Sequence, residues 1–460
     1  MKIQAGLSEQ NGISPKAIWE IQARKELKGN TGKLDAWKIG PDLHLEPYAT
    51  NEDCTDERIN EIQLCQKHTP GWLNMPWLHV NEPQSVKYSV ENALKQGADA
   101  ILLKIDQPDL LQSDPLRHLL SNSENTVFLQ TPEYPEFLLR EIYKSTSLNC
   151  KGGIAFDPVA NWMRTGTHFS GSVQSIASLL KNAGSKEDFR PVMIESHVFH
   201  YSGATPVQEL AFLIASTVTY LDYLTDAGIP AQKVFENLYF SVPAGMQFLT
   251  EIAKFRALRY LFSKIGRAYH VPDRQGKAFV HATTSSFYYA EKSPHNNVVR
   301  ATSEAMSAVA GGCNALTVLP FNHHSGQFHE LPDRIARNVS NILAHESLLN
   351  QVADPASGSY MLETMTLKLA DAAWELFLET EEKGGLESCF EKGFIQNELD
   401  KSLKMCAEAF SSDKILVGVN KFEEQESDNS FRNEEKAFFK EDKNGLRLLK
   451  DINLSQLIRS

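Results

Sequence analysis

LYFSVPAGMQFLTEIAKFRALRYLFSKIGRA, residues 238–268, changes period near its middle. Leu238–Val242 is a short apolar run of the kind that forms a buried parallel strand. From Met246 to Ala268 the apolar positions are Leu249, Ile252, Phe255, Leu258, Leu261, Phe262 and Ile265, at helical steps of three and four. Strand followed by helix is the repeating unit of an α/β fold. Further strand-like runs stand at Trp77–Val80, Ala100–Ile105, Thr126–Gln130, Gly153–Phe156 and Pro191–Ile194 before this stretch, and at Ala278–Thr283 and Ala315–Leu319 after it. Eight such runs separated by helical segments predict a (β/α)8 TIM barrel. Six or seven would point to an open, doubly wound sheet.

Other helices can be placed by their ends. Asn297–Ala310 has Asn297 as N-cap and Gly311–Gly312 as its stop. Leu331–Asn350 carries Pro332 and Asp333 in its first turn. Met365–Lys383 and Gln396–Phe410 follow, then Ile415–Asn420 as a final short strand. Ahead of the barrel, Pro15–Leu27 reads as a helix with Ile18, Ile21 and Leu27 on its apolar side. Short strands and loops follow at Leu34–Tyr48. The divisions are thus an N-terminal extension at 1–75, the barrel at 76–350, helices completing it at 351–422, and a charged linker or tail at 423–460.

A net charge of -12 argues against non-specific nucleic-acid binding, which needs a basic surface. No uncharged apolar stretch is long enough to span a bilayer, and the N-terminus lacks the apolar region of a secretory signal. The six cysteines are scattered and form no CxxC, so reduced cytoplasmic thiols are expected rather than disulfides or a zinc site.

Barrel enzymes place their chemistry after the C-terminal ends of the strands. There the sequence offers Glu195, Ser196, His197 and His200, then His281, Thr283, Thr284 and Ser285, then Asn322, His323, His324, His329 and Glu330. Converging imidazoles suit a divalent metal, and a hydrolase using His197, His281 and His323 is one alternative. The spacing supports it poorly, because HExxH and an HxH on the first strand are missing. Hydrogen-bonding or surface histidines are the plainer reading. There is no GxGxxG, P-loop or GxSxG motif. Asp354 and Glu363 read as lone loop and helix-cap carboxylates. The charges of Glu251–Arg259 read as a solvated helix face.

Six segments in order then resemble one family. They are Glu251-Ile-Ala-Lys-Phe-Arg-Ala, the run from Asn296 to Gly312, Arg334-Ile-Ala-Arg-Asn, Val352-Ala-Asp-Pro-Ala-Ser-Gly-Ser-Tyr, Glu381-Glu-Lys-Gly-Gly and Val417-Gly-Val-Asn-Lys-Phe. Together they are similar to the substrate-binding barrel of the methylmalonyl-CoA mutases, from about Ile18 to Phe422. The resemblance implies an adenosylcobalamin-dependent isomerase that interconverts methylmalonyl-CoA and succinyl-CoA, with the acyl-CoA threaded along the barrel axis. It also implies a separate cobalamin domain with a DxHxxG motif, which this sequence lacks. The nearest echo, Asp42-Leu-His-Leu-Glu-Pro, ends in proline and precedes the barrel.

Departures from the family pattern fall at its working residues. The family's acid histidine after the fifth strand aligns with Val198, and its substrate-binding arginine on the seventh strand with Phe279. Its Thr-Gln-Ser-Leu-His becomes Cys313-Asn-Ala-Leu-Thr317, and its N-terminal tyrosine loop becomes Thr69-Pro-Gly-Trp-Leu-Asn-Met-Pro-Trp77. Such losses, with Trp19-Glu-Ile-Gln-Ala-Arg-Lys-Glu-Leu-Lys-Gly29, resemble the small, inactive subunits of heterodimeric mutases. The resemblance therefore implies no catalytic, cofactor-binding or metal residue on this chain. The adenosylcobalamin would sit on a larger catalytic partner, and residues 1–75 would act as a subunit-interaction arm. A homodimer of the isolated chain is compatible with this reading. The alternative is an active barrel subunit of a split mutase that works with a separate cobalamin-binding protein.

Overall fold

Two prolines decide how the strands are joined. In the computed structural model the strands are β1 (Leu73–Asn74 and Trp77–His79), β2 (Ile101–Lys104), β3 (Thr126–Gln130), β4 (Lys151–Ile154), β5 (Phe189–Arg190 and Val192–Glu195), β6 (Leu238–Ala244), β7 (Val280–Thr284) and β8 (Ala315–Thr317). The structure describes residues 14–28, 30, 37–38, 43–79, 82–107, 113–121, 125–144, 150–182, 188–271, 278–325, 330–412, 414–423, 440–441 and 445–459.

The strands form two five-stranded parallel ladders, β1-β8-β7-β6-β5 and β1-β2-β3-β4-β5. Both ladders contain β1 and β5. Leu73–Asn74 pairs with β8 and Trp77–His79 with β2. Phe189–Arg190 pairs with β4 and Val192–Glu195 with β6. Pro76 and Pro191 stand at the two changes of partner, where a residue without an N–H costs the ladder least. Met75 N–H still donates to Leu316 O at 2.9 Å, and Leu102 N–H to Pro76 O at 3.0 Å. Every strand is therefore bonded to both neighbours in the ring, as the eight apolar runs predict. β1 begins at Leu73, ahead of the barrel start expected at residue 76.

Strand parity sorts the side chains. Outward residues of β2–β4, such as Ile101, Leu103, Val127 and Leu129, pack with Val90, Leu139 and Ile142 from helices Pro83–Lys95 and Glu136–Lys144. Outward residues of β5–β8 join a larger core with helices Pro206–Asp226 and Phe248–Ala268. Parity slips at Pro191, because Phe189 and Val192 both point outward. That slip lets Arg190 turn inward, over the ring of Phe279.

Helix Phe248–Ala268 corrects the reading of its charges. Glu251, Lys254, Arg256 and Arg259 are all buried. The cause lies far along the chain: helices Asp56–Cys65 and Tyr360–Glu382 pack over it and leave residues 250–262 no solvated face. Arg256 pairs with Asp354 and, at 2.6 Å, with Glu363. Those two carboxylates are partners of one buried guanidinium rather than isolated loop and cap groups. Arg259 donates to Ala278 O, Gly312 O and Asn314 Oδ1 at 2.6–2.7 Å.

Smaller corrections follow. The helix expected from Asn297 starts at Asn296, and Asn297 does not cap it. Its amide ties Ala290 to Phe321 instead, donating to both carbonyls at 3.0 and 2.9 Å. Ile415–Asn420 forms no strand. Asn420 folds it into a turn, accepting from Leu416 N–H at 2.8 Å, and a single bridge joins Val417 to Lys421. Helix Pro15–Glu26 forms as expected, capped by Ser14, but none of its residues is buried, and Ile21 is 62% exposed. Within the stretch expected as a charged linker or tail, Leu448, Leu449 and Leu454 are buried against the barrel. No described helix is long and apolar enough to cross a membrane.

Candidate functional site

Inward positions of the strands build two levels. The lower is aromatic. Tyr239 of β6 meets Phe128 of β3 at 5.1 Å, and Phe128 meets Phe279 at 5.9 Å between ring centres. Arg190 covers Phe279 at 4.5 Å, and Tyr239 donates to Ile154 O at 3.0 Å. Met75, Leu102 and Met193 complete this level. The axis is filled, as a side-chain-packed barrel requires. Phe279 stands at this level, and the guanidinium that reaches it comes from β5.

Above it lies a cavity of about 300 Å³. Four inward groups cross it as one chain of hydrogen bonds. Thr317 Oγ1 donates to Met75 O at 2.6 Å, so it accepts from His281 Nε2–H at 2.9 Å. His281 Nδ1 is then an acceptor for Ser241 Oγ–H at 3.0 Å, and Ser241 Oγ accepts from His197 Nε2–H at 3.0 Å. The directions require a neutral His281, whose Nδ1 must accept, whereas His197 donates from Nε2 in either protonation state. Burial, helped by the charge of Arg164, pushes His197 down to about 3. Burial does the same to His281, and it pushes His323 down to about 4.

Behind the strand ends sits a buried ionic group. His200 Nδ1 meets Glu209 at 2.7 Å, and Lys254 bonds Glu209 at 3.0 Å and Glu251 at 2.7 Å. Burial opposes the charge on Glu209, but Lys254 and His200 outweigh it and hold its carboxyl below the usual range. Glu304 accepts from Ser285 N–H at 3.0 Å, and burial raises its carboxyl well above the ordinary value.

The structure therefore brings Glu195, His197, His281, Thr283 and His323 to one cavity and sends most of the other expected groups elsewhere. His200 faces Glu209 and Ser285, and His324 donates to Ser286 O at 2.8 Å. Ser196 is fully buried, and Thr284 accepts from Leu319 N–H at 2.8 Å. Thr283 lines the cavity, whereas Glu330 begins the next helix on the surface. His329 lies outside the described residues. Both nitrogens of His281 are committed, and no group of three metal-ligating side chains occurs among the described residues. Val198 packs into the main core, so the imidazole that this segment sends to the mouth is His197.

Sequence reading missed Ser241 and Thr317, which strand parity alone places inward. It also missed Arg164, which pairs with Glu195 on β5 and with Asp451 at 3.5 Å. No local signal joins residues so far apart in the chain. Asp157 holds the same strand end. It caps helix Pro158–Thr165 and accepts from Glu195 N–H at 2.9 Å and from Tyr220 Oη–H at 2.6 Å.

Residues 141–453 match the family model described as Methylmalonyl-CoA mutase. A Porphyromonas gingivalis protein named methylmalonyl-CoA mutase small subunit is 32% identical over 276 residues, covering 59% of this chain and 45% of its own length. The small subunit from Streptomyces virginiae is 37% identical over 247 residues, covering 53% and 40%. The mitochondrial methylmalonyl-CoA mutase of Homo sapiens is 32% identical over 474 residues, covering 92% and 62%. The chain spans about half the length of the small subunits it matches.

Proposed function

Because the chain belongs to the methylmalonyl-CoA mutase family, we propose that it is a small, non-catalytic subunit that stabilises a larger catalytic chain. The holoenzyme would interconvert methylmalonyl-CoA and succinyl-CoA. The family is cobalamin-dependent, and in this reading the adenosylcobalamin and the reacting thioester belong to the larger chain.

The filled axis carries the reading. A thioester running along it would have to displace Phe128, Tyr239 and Phe279, which pack on one another. The mouth adds support. His197 and His281 are neutral and spend their protons on Ser241 and Thr317, so neither is poised as an acid near neutral pH. The residues present do not fit a corrinoid. A cavity of about 300 Å³ is at the lower limit of small-molecule pockets, and Asp451 stands at its rim. For the partner, the support is the small-subunit naming of relatives and the unburied helix Pro15–Glu26. An interaction arm would present such a face.

Titrating the purified chain with adenosylcobalamin tests the non-catalytic half of the reading. The visible spectrum of the cofactor is expected to stay that of the free form, and tight stoichiometric binding would overturn it. Co-expression with a larger mutase chain is expected to yield a heterodimer. Isomerase turnover from this chain plus a free cobalamin-binding protein alone would establish the split-mutase arrangement instead.

A further inference from the structure

The last described segment does more than trail from the barrel. Its backbone is pinned to segments that follow three different strands. Leu449 N–H donates to Met163 O, Ile452 N–H to Tyr201 O and Leu454 N–H to Phe287 O, at 2.8–2.9 Å. Ser202 Oγ donates to Lys450 O at 3.1 Å, and Asn453 Nδ2 to Tyr289 O at 3.2 Å. Leu454 is fully buried in a cluster with Phe287, Leu403 and Phe410. Upstream, Arg447 reaches Asp400 at 2.6 Å, and Gln396 donates to Arg447 O at 2.8 Å.

Between these anchors, Asp451 reaches the rim of the cavity and pairs with Arg164 at 3.5 Å. Arg164 also pairs with Glu195, an inward residue of β5. One guanidinium thus links the segment to the barrel interior. Burial opposes its charge, but Glu195 and Asp451 prevail and hold it cationic.

We infer that residues 446–458 form a strap across one side of the barrel mouth, over the segments that follow β4, β5 and β7, with Asp451–Arg164–Glu195 as its latch and Leu454 as its apolar anchor. The strap then narrows the way into the cavity over His197, His281 and Thr283, and its release widens that opening for small solutes. The inference does not depend on the mutase reading, because it rests on contacts within this chain.

Accessibility of the cavity in the full-length chain is the test. Thr283→Cys places a thiol on the cavity wall, and its reaction with a small maleimide is followed by peptide mass. Adding Leu454→Ala, or separately the milder surface change Asp451→Asn, loosens the strap. Labelling at position 283 is expected to rise about tenfold or more with Leu454→Ala and less with Asp451→Asn. Amide exchange across 446–458 is expected to rise in the same order. Equal labelling rates with the strap intact and loosened would overturn the inference. So would exchange of 446–458 in the unmodified chain as fast as in a free peptide of that sequence.

Discussion

The two sides of the barrel solve the same packing problem differently. Around β2–β4 the helices are short, Pro83–Lys95, Asp114–Ser121 and Glu136–Lys144, and their charges face water. Behind β5–β8, helices Pro206–Asp226 and Phe248–Ala268 are each 21 residues long and buried almost all round. Helix Tyr360–Glu382 packs over both of them. A second layer therefore covers one side, and charge caught beneath it must find a partner inside. The teaching is that identical residue types mean different things on the two sides. Arg140 pairs with Glu136 on the surface, whereas Arg256, itself at zero exposure, pairs with Asp354 and Glu363.

The sharpest way to break that contrast is Arg256→Ala. It strands two carboxylates under the outer layer and is expected to cost about 3–5 kcal/mol, read as a shift in the urea midpoint. A loss below about 1 kcal/mol would mean that the pair is hydrated, contrary to its burial. Apolar truncations should not separate the sides. Leu139→Ala beneath the covering helices of β3 and Leu221→Ala under the outer layer are each expected to cost about 2–5 kcal/mol. Both side chains are fully buried.

Acid should act through the β5–β8 side. His197 and His281 are held near 3, far below an unfolded histidine, so the unfolded chain takes up protons that the folded one refuses. Their contribution is complete above about pH 6.5 and is lost as the pH falls toward their folded values, by up to about 1.4 kcal/mol per unit for each group. His281→Gln is expected to flatten the fall in stability between about pH 6 and 4.5, with an unchanged slope as the contrary result. The smallest effect belongs to the surface pair. Arg140→Ala is expected to change stability by no more than about 0.5 kcal/mol.

The same division explains what the sequence could reveal. The eight strands were legible because apolar runs mark them whatever covers the helices outside. Val198, Asn297 and the charges of Glu251–Arg259 were not, because each depends on contacts from distant segments. Amphipathic periodicity assumes one solvated face, and residues 250–262 have none. At the mouth, residue type drew attention to the histidines, but parity of the strands selects which of them meet. His197 and His281 join through Ser241, a residue with no motif around it. Asp451 lies 287 positions from its partner Arg164 along the chain, beyond the reach of any local pattern.

The prolines of β1 and β5 have one more consequence. In a ring of eight strands these two stand opposite each other, and each half of the ring ends partway along a strand rather than between strands. The halves are clasped like two hooked hands. Neither can peel away without unravelling a stretch of strand that continues directly into its counterpart. Two separately packed apolar clusters are thereby bound into one cooperative wall, by continuity of the chain at Met75–Pro76 and at Pro191 rather than by an extra bond.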